Sequence, residues 1–528
     1  MSRLLERLEA LTVFGGLTCV VYYTNGLIIQ TLLCGVFLLA IVLEMLITPE
    51  DITAVTNWKF RQKSSLGLIT GALLIPMALV AHGNQQCGSN LMCYYQLPSL
   101  AVTVSLLITV SIGQNLLQRF RIWLSSALVL AGTFIVSFIL MRFPQQFVEY
   151  AVFLIGGSVL GLSLLCHLMN SLPESFSLGE AMIISQGLTV LSLEVIKDFA
   201  CPVTSSQKFG ACLQVLVAGT INVGFLLRPV CNRIFQNQSI RTDKVNQHNK
   251  STDLSWSGSI YFYLIFAGVN FFALFPWLGF QIKEFPVFYG LKFMFGSRDR
   301  VFLMTGWLVL VTLAIAVVGT TTSSSTVVRK YFHLIATGTF VSGLYYDPEL
   351  ICLASAGVFF IFIVLEVIRV LRVQPIGGSI NDAFQVFVDD RDGGLLILTH
   401  VYLLVGLSLP IWILSGGHYL QSGKFLPLYS GVLSVGVGDT AASILGSQLG
   451  RYKWPETKKT MEGTLAAVVS QTVCCHLLQS YLGVVSQCHW LMIFASILLT
   501  SFLEAFTDQI DNLILPLFMF AILSVSNG

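Results

Sequence analysis

Between Gly438 and Thr464 an otherwise apolar chain reads GDTAASILGSQLGRYKWPETKKTMEGT. Asp439, Ala442, Gly446 and Gly450 recur at i, i+3, i+7 and i+11, so a helix sets them in one narrow stripe of small residues with a carboxylate at one end. Such a stripe lets another backbone or a ligand approach closely, and small-residue helix packing is the plain alternative. Asp439 argues for more than packing, because an aspartate deep in a membrane helix costs about 2.5 kcal/mol or more. After Trp454-Pro455 come Lys458, Lys459 and Thr460, then Glu462 and Gly463 at the start of the next apolar run. Ammonium groups and helix N-terminal amides attract phosphate oxygens. A lysine pair on its own reads equally well as an anchor at a membrane edge. The pattern is not a Walker A loop, and Gly436 to Ala441 mimics a dinucleotide fingerprint without the strand that one requires.

A second group lies downstream. Glu504, Asp508 and Asp511 are spaced to share one face if the helix continues through them, with Asn512 beside the last. Like charges so close need a cation, either Mg²⁺ or the lysines opposite; a solvated helix end is the alternative. Arg329 and His333 at i and i+4 could grip phosphate or merely mark a membrane edge. Glu366 and Arg369 read as an ion pair at a helix end, His400 and His476 as interior histidines, and Asp389, Asp390 and Asp392 as solvated loop acids. Cys87 and Cys93 share a short polar loop, where a disulfide is one possibility.

What must position these residues is a membrane bundle. The 528-residue chain is 55 % hydrophobic with a mean hydropathy of +0.78, and its 11 % of charged residues is far below the roughly 25 % of soluble domains. Windows such as 27–47, 122–142, 209–228, 258–280, 301–320, 350–370, 394–414 and 426–446 match the about 20 apolar residues of a membrane helix, and roughly fifteen are expected in all. The fold class is therefore all-α, a polytopic transmembrane bundle. Residues 1–228 form an N-terminal multispanning region that begins with a retained segment, 229–257 a polar linker, and 258–528 the region that carries the chemistry. The net charge of +2 is dispersed over short loops, which excludes a nucleic-acid partner. Counted in pairs of crossings, the runs return four clusters to one side: Arg329 and Lys330; Arg369, Arg372 and Arg391; Arg451 to Lys459; and Glu504 to Asn512. The nine Lys and Arg on that side, against Lys424 opposite, make it the cytosol.

With these residues on the page, the chain resembles the CTP-dependent polyprenol kinase family. The likeness rests on Asp439-x2-Ala442-x3-Gly446-x3-Gly450 followed by Lys458-Lys459-Thr460-x-Glu462-Gly463. It extends to RKYFHL at 329–334, LLILTHVYLLVGLSLPIW at 395–412 and EAFTDQIDNLILPL at 504–517. The resemblance implies transfer of the γ-phosphate of CTP to the terminal hydroxyl of dolichol at the cytosolic face of the endoplasmic reticulum, feeding lipid-linked sugar synthesis. It would place CTP against Gly446, Ser447, Gly450, Lys458, Lys459, Thr460, Glu462 and Gly463, with Arg329 and His333 as further phosphate contacts. Asp439, Asp511 and Asn512 would carry Mg²⁺ or another divalent cation. Catalysis would fall to Asp439, Lys458, Lys459 and Glu462, the base being either Asp439 or Glu462. A cytidylyltransferase making a CDP-lipid, a kinase of another prenol and a transporter are the competing readings.

Overall fold

The computed structural model describes residues 3–24, 27–56, 58–62, 64–86, 93–112, 144–200, 256–320, 326–384, 394–415, 420 and 422–525. Among them every regular element is helical. The N-terminal group comprises α1 (Arg3–Tyr23), α2 (Leu27–Leu46), α3 (Pro49–Thr56), α4 (Leu68–Gln86), α5 (Cys93–Ile112), α6 (Pro144–Ser171) and α7 (Leu178–Ala200). A peripheral group follows: α8 (Trp256–Val269), α9 (Phe275–Ile282), α10 (Pro286–Phe295) and α11 (Arg298–Thr320). The remainder is α12 (Thr326–Tyr346), α13 (Pro348–Leu371), α14 (Gly377–Phe384), α15 (Thr399–Ile413), α16 (Thr440–Leu449), α17 (Met461–Tyr481), α18 (Trp490–Phe506) and α19 (Asp511–Leu523).

The last helix is the axis of the molecule. Every side chain of α19 from Asn512 to Leu523 is buried, which is why its sequence is apolar on all sides rather than on one stripe. It packs on α15 and α18 from the C-terminal region and on α4 from the N-terminal group, while α1 lies along α18. One continuous core therefore runs from Val13 to Val525. Close approach depends on missing side chains: a Cβ on Gly406 of α15 would lie 1.9 Å from the Asn512 carbonyl oxygen.

Among the described residues six helices are long and apolar enough to cross a membrane, including Leu27–Leu46, Pro348–Leu371, Leu426–Leu449 and Met461–Tyr481, and six further apolar helices are 10–17 residues long. The roughly fifteen full spans expected from apolar windows are thus not reached among the described residues. Windows 122–142 and 209–228 lie outside them, as does the linker up to residue 255. Others fold as shorter helices: the window 394–414 contains only Thr399–Ile413. Cys87 also lies outside the described residues.

Candidate functional site

Asp439 ends a π-helical stretch, Val432–Asp439, that continues directly into α16. Two glycines let this stretch wedge between its neighbours. A Cβ on Gly436 would come within 2.3 Å of Thr337 Oγ1 on α12, and one on Gly438 within 2.3 Å of Gln471 Nε2 on α17. Wide π turns inside helices are frequent at functional sites because they re-aim the residues that follow. Here Asp439 meets α12: Lys330 Nζ donates to Asp439 Oδ2 at 2.5 Å, and His333 Nε2 stands 4.0 Å from the same oxygen. The carboxylate is 6 % exposed, and a buried charge persists only with such a partner.

The second pair lies beside the first. Lys459 Nζ donates to Glu504 Oε1 near the end of α18; the lysine side chain is 33 % exposed and that of Glu504 only 5 %. The charges of Asp439 and Asp511 both reach Glu504, so three carboxylates from separate elements share one region. Lys459 is presented by a short hairpin in which the Trp454 N–H donates to the Lys459 carbonyl at 3.0 Å and the Met461 N–H to the Tyr452 carbonyl at 2.8 Å. Trp454 anchors that hairpin: its ring lies edge-on to Phe502 and Phe506, and its Nε1 donates to Thr464 Oγ1 at 2.9 Å.

The N-terminus of α17 is closed from within. Thr460 caps the helix, its Oγ1 accepting from the Gly463 N–H at 3.2 Å. Glu462 reaches back, its Oε1 accepting from the Arg451 N–H at 2.9 Å and the Tyr452 N–H at 3.1 Å. These contacts fix the hairpin, and they occupy amides that the sequence would offer to phosphate. The small-residue stripe does what the packing reading expects. Gly446 and Gly450 of the α16 side face Thr460, while a Cβ on Gly463 would lie 2.9 Å from the Ala442 carbonyl oxygen. Ser447 and Lys458 are exposed. The side chain of Arg329 lies outside the described residues, as do Asp389, Asp390 and Asp392.

Three expectations change. Glu504, Asp508 and Asp511 do not share a helical face, because α18 ends at Phe506 and the chain turns extended at Thr507. Asp508 points instead to the N-terminal group, where its carboxylate accepts from the Ser65 N–H at 2.7 Å and the Ser65 hydroxyl at 2.8 Å. His476 is exposed on α17, within 3.4 Å of Ser480 Oγ, whereas His400 is interior, edge-on to Phe362 and Phe384. The Glu366–Arg369 pair forms, but it is buried and also binds the Ile397 N–H and the Leu395 carbonyl. The residue that sequence reasoning missed is Lys330, counted only as a topogenic charge. Its i, i+3 relation to His333 was the available signal.

For a metal, the arrangement offers oxygen donors without a ready cage. Among the described residues no three His, Cys, Asp or Glu side chains converge on one point. Among the described residues the buried Asn512 Oδ1 has no hydrogen-bond partner, and it lies next to the Asp511 carboxylate, which accepts from the Asn512 N–H at 3.0 Å. That suits Mg²⁺, which takes one or two protein oxygens and fills its shell with water and substrate phosphates.

A helical bundle with membrane-length apolar helices defines a multi-pass membrane protein, here with two lysine–carboxylate pairs in one region. The chain belongs to the dolichol kinase family, whose model matches residues 155–453. It is 35 % identical to the dolichol kinase of Homo sapiens over 373 residues, covering 67 % of this chain and 66 % of the relative. It is 32 % identical to dolichol kinase EVAN of Arabidopsis thaliana over 387 residues, 69 % of this chain and 67 % of the relative. With the dolichol kinase of Saccharomyces cerevisiae it shares 29 % over 241 residues, 45 % of this chain and 44 % of the relative. No solved structure matches the chain.

Proposed function

We propose that this protein transfers the γ-phosphate of CTP to the terminal hydroxyl of dolichol, at the cytosolic face of the endoplasmic reticulum membrane. The observation that carries the reading is the pairing of Lys330 with Asp439 and of Lys459 with Glu504 in one region, in a chain of the dolichol kinase family. Phosphoryl transfer asks a protein mainly for in-line positioning and for neutralisation of phosphate charge. Each lysine is poised to exchange its carboxylate for phosphate oxygens, with the exposed Lys458 beside them. Gly446, Ser447, Gly450 and Gly463 shape the wall, and His333 approaches the phosphates from α12; Arg329 is kept as a further phosphate contact on the family resemblance alone.

Exchange of Lys330 onto phosphate frees the Asp439 Oδ2 that the lysine had held. Asp439 then takes the proton of the dolichol hydroxyl as that oxygen attacks the γ-phosphorus. The bond from phosphorus to the β-bridging oxygen breaks, and CDP leaves with the electron pair. Glu462 is the weaker candidate for the base, because its carboxylate already holds two backbone amides of the hairpin. Asp511 and Asn512, with Asp439, would hold a divalent cation that neutralises phosphate charge. Residues 1–228 cradle the polyprenol chain, and 258–528 carry the chemistry.

The test is purified protein in detergent with dolichol, Mg²⁺ and CTP labelled at either the γ- or the α-phosphorus. Label in the lipid from γ-labelled CTP alone is expected. Lipid label from α-labelled CTP would replace the kinase with a cytidylyltransferase, and no labelled dolichol beside labelling of another prenol would change the acceptor.

A further inference from the structure

The segment Thr507–Ile510 joins Glu504, the partner of Lys459, to Asp511. Each of its four residues makes at least one hydrogen bond to the N-terminal group, in addition to local bonds such as that of the Gln509 N–H to Thr507 Oγ1. Thr507 Oγ1 donates to Glu9 Oε1 of α1 at 3.0 Å. Asp508 accepts from Ser65 through both carboxylate oxygens, and its carbonyl accepts from Arg61 Nη2 at 3.2 Å. Gln509 is held by Ser177 through its Oε1 and donates from Nε2 to Ser65 Oγ at 2.9 Å. The Ile510 N–H donates to Glu180 Oε1 at 3.0 Å.

Arg61 and Glu180 form the centre of this clamp. Their salt bridge is 2.7 Å long, with side chains 4 % and 0 % exposed, and Glu180 also accepts from the Ser177 N–H at 2.9 Å. The approach is close enough to require glycine. Gly67, next to Ser65 and Leu66, has φ +66°, and a Cβ there would lie 2.6 Å from Gln509 Cδ. A buried Arg–carboxylate pair joined through both Nε and Nη2 has a fixed geometry and little freedom. Whatever it holds is held in one place.

We infer that Arg61, Glu180 and Ser65 are positioning residues of the proposed kinase site, setting the relative placement of Glu504 and Asp511 through the Thr507–Ile510 linker. The inference rests on the kinase reading for its catalytic consequence, but not for the clamp itself. It gives the N-terminal helices a role in chemistry at a site to which they contribute no reacting group. Reacting groups misplaced by about 1 Å can lose a hundredfold in rate.

Two variants test this. Ser65→Ala removes one hydroxyl. Arg61→Met with Glu180→Met removes both charges together, so that no unpaired ion is left buried. Hydrogen exchange of the 507–511 amides, measured without substrate, should quicken in both. In the folded protein kcat should fall by about tenfold with an unchanged KM for dolichol, while the Mg²⁺ concentration for half-maximal rate rises. A purely structural clamp would lower the melting temperature and leave those kinetic constants alone. Unchanged exchange, or faster exchange with unchanged kinetics, overturns the inference. If the double variant does not fold, Ser65→Ala decides. If the wild type transfers no phosphate, the kinase reading has failed, and the exchange measurement alone decides whether the linker is clamped.

Discussion

Two kinds of ion pair sit about the same linker, and they differ in what can replace them. At the clamp, the side chains of Arg61 and Glu180 are at most 4 % exposed and bind each other, the Asp508 carbonyl and the Ser177 and Ile510 amides. At the site, the acids are equally buried but the bases are lysines, Lys330 13 % and Lys459 33 % exposed. An ammonium is a compact point charge on a flexible stem, whereas a guanidinium is a rigid fork that fits one geometry. The clamp is therefore suited to stay closed, while on the proposed function the lysine pairs exchange their carboxylates for phosphate. The Glu366–Arg369 pair, also buried and bound to backbone at 395 and 397, belongs with the clamp.

The largest effect expected from this contrast is on stability. Glu180→Ala strands the Arg61 charge in the interior, and breaking a buried pair on one side costs about 3–5 kcal/mol. Thermal unfolding in detergent should show a large drop in melting temperature, and a drop no greater than that of an exposed pair would erase the distinction drawn above. Lys459→Ala should behave in the opposite way. It should cut turnover by about a hundredfold or more, the loss typical of one group that stabilises transition-state charge, with a much smaller shift in melting temperature. A Lys459→Ala protein that turns over normally, with its stability badly damaged, would make this pair a second clamp.

This division was only partly legible in the sequence. The all-helical class, Asp439, Lys459 and the small-residue stripe follow from composition and local spacing, because period and charge type are local properties. The pairing of Lys330 with Asp439 spans 109 positions and that of Lys459 with Glu504 spans 45, and no periodicity reports such contacts. The acidic face of Glu504, Asp508 and Asp511 failed for a related reason. It assumed a continuous helix, while Thr507 to Ile510 is drawn out by partners more than 300 residues away in Ser65 and Glu180. The span count is not reached among the described residues, in part because hydropathy windows see apolar length and not the helix ends, which α18 and α19 place after fewer than 18 residues.

A smaller effect separates the hairpin from both kinds of pair. Thr460 caps α17 and also fills the space against Gly446 and Gly450. Thr460→Ala should cost about 1 kcal/mol as a lost cap, and because the hairpin carries Lys459 it should also raise the KM for CTP severalfold. Thr460→Ser, which keeps the hydroxyl, should restore most of both. Rescue of stability without rescue of KM would mean that the threonine methyl, packed against Gly450, sets the hairpin rather than the cap.

The smallest effect is expected where the sequence placed an interior histidine. His476 lies on the exposed face of α17 with, among the described residues, Ser480 alone at hydrogen-bond range, so His476→Leu removes no buried contact. Surface changes of this kind stay within about 0.5 kcal/mol, and melting temperature and turnover should both match the wild type. A marked loss in either would mean that this face is covered in the membrane by another helix. The region outside the clamp and the site would then also be held by specific contacts, and the two-way contrast between closed and exchangeable pairs would need a third surface.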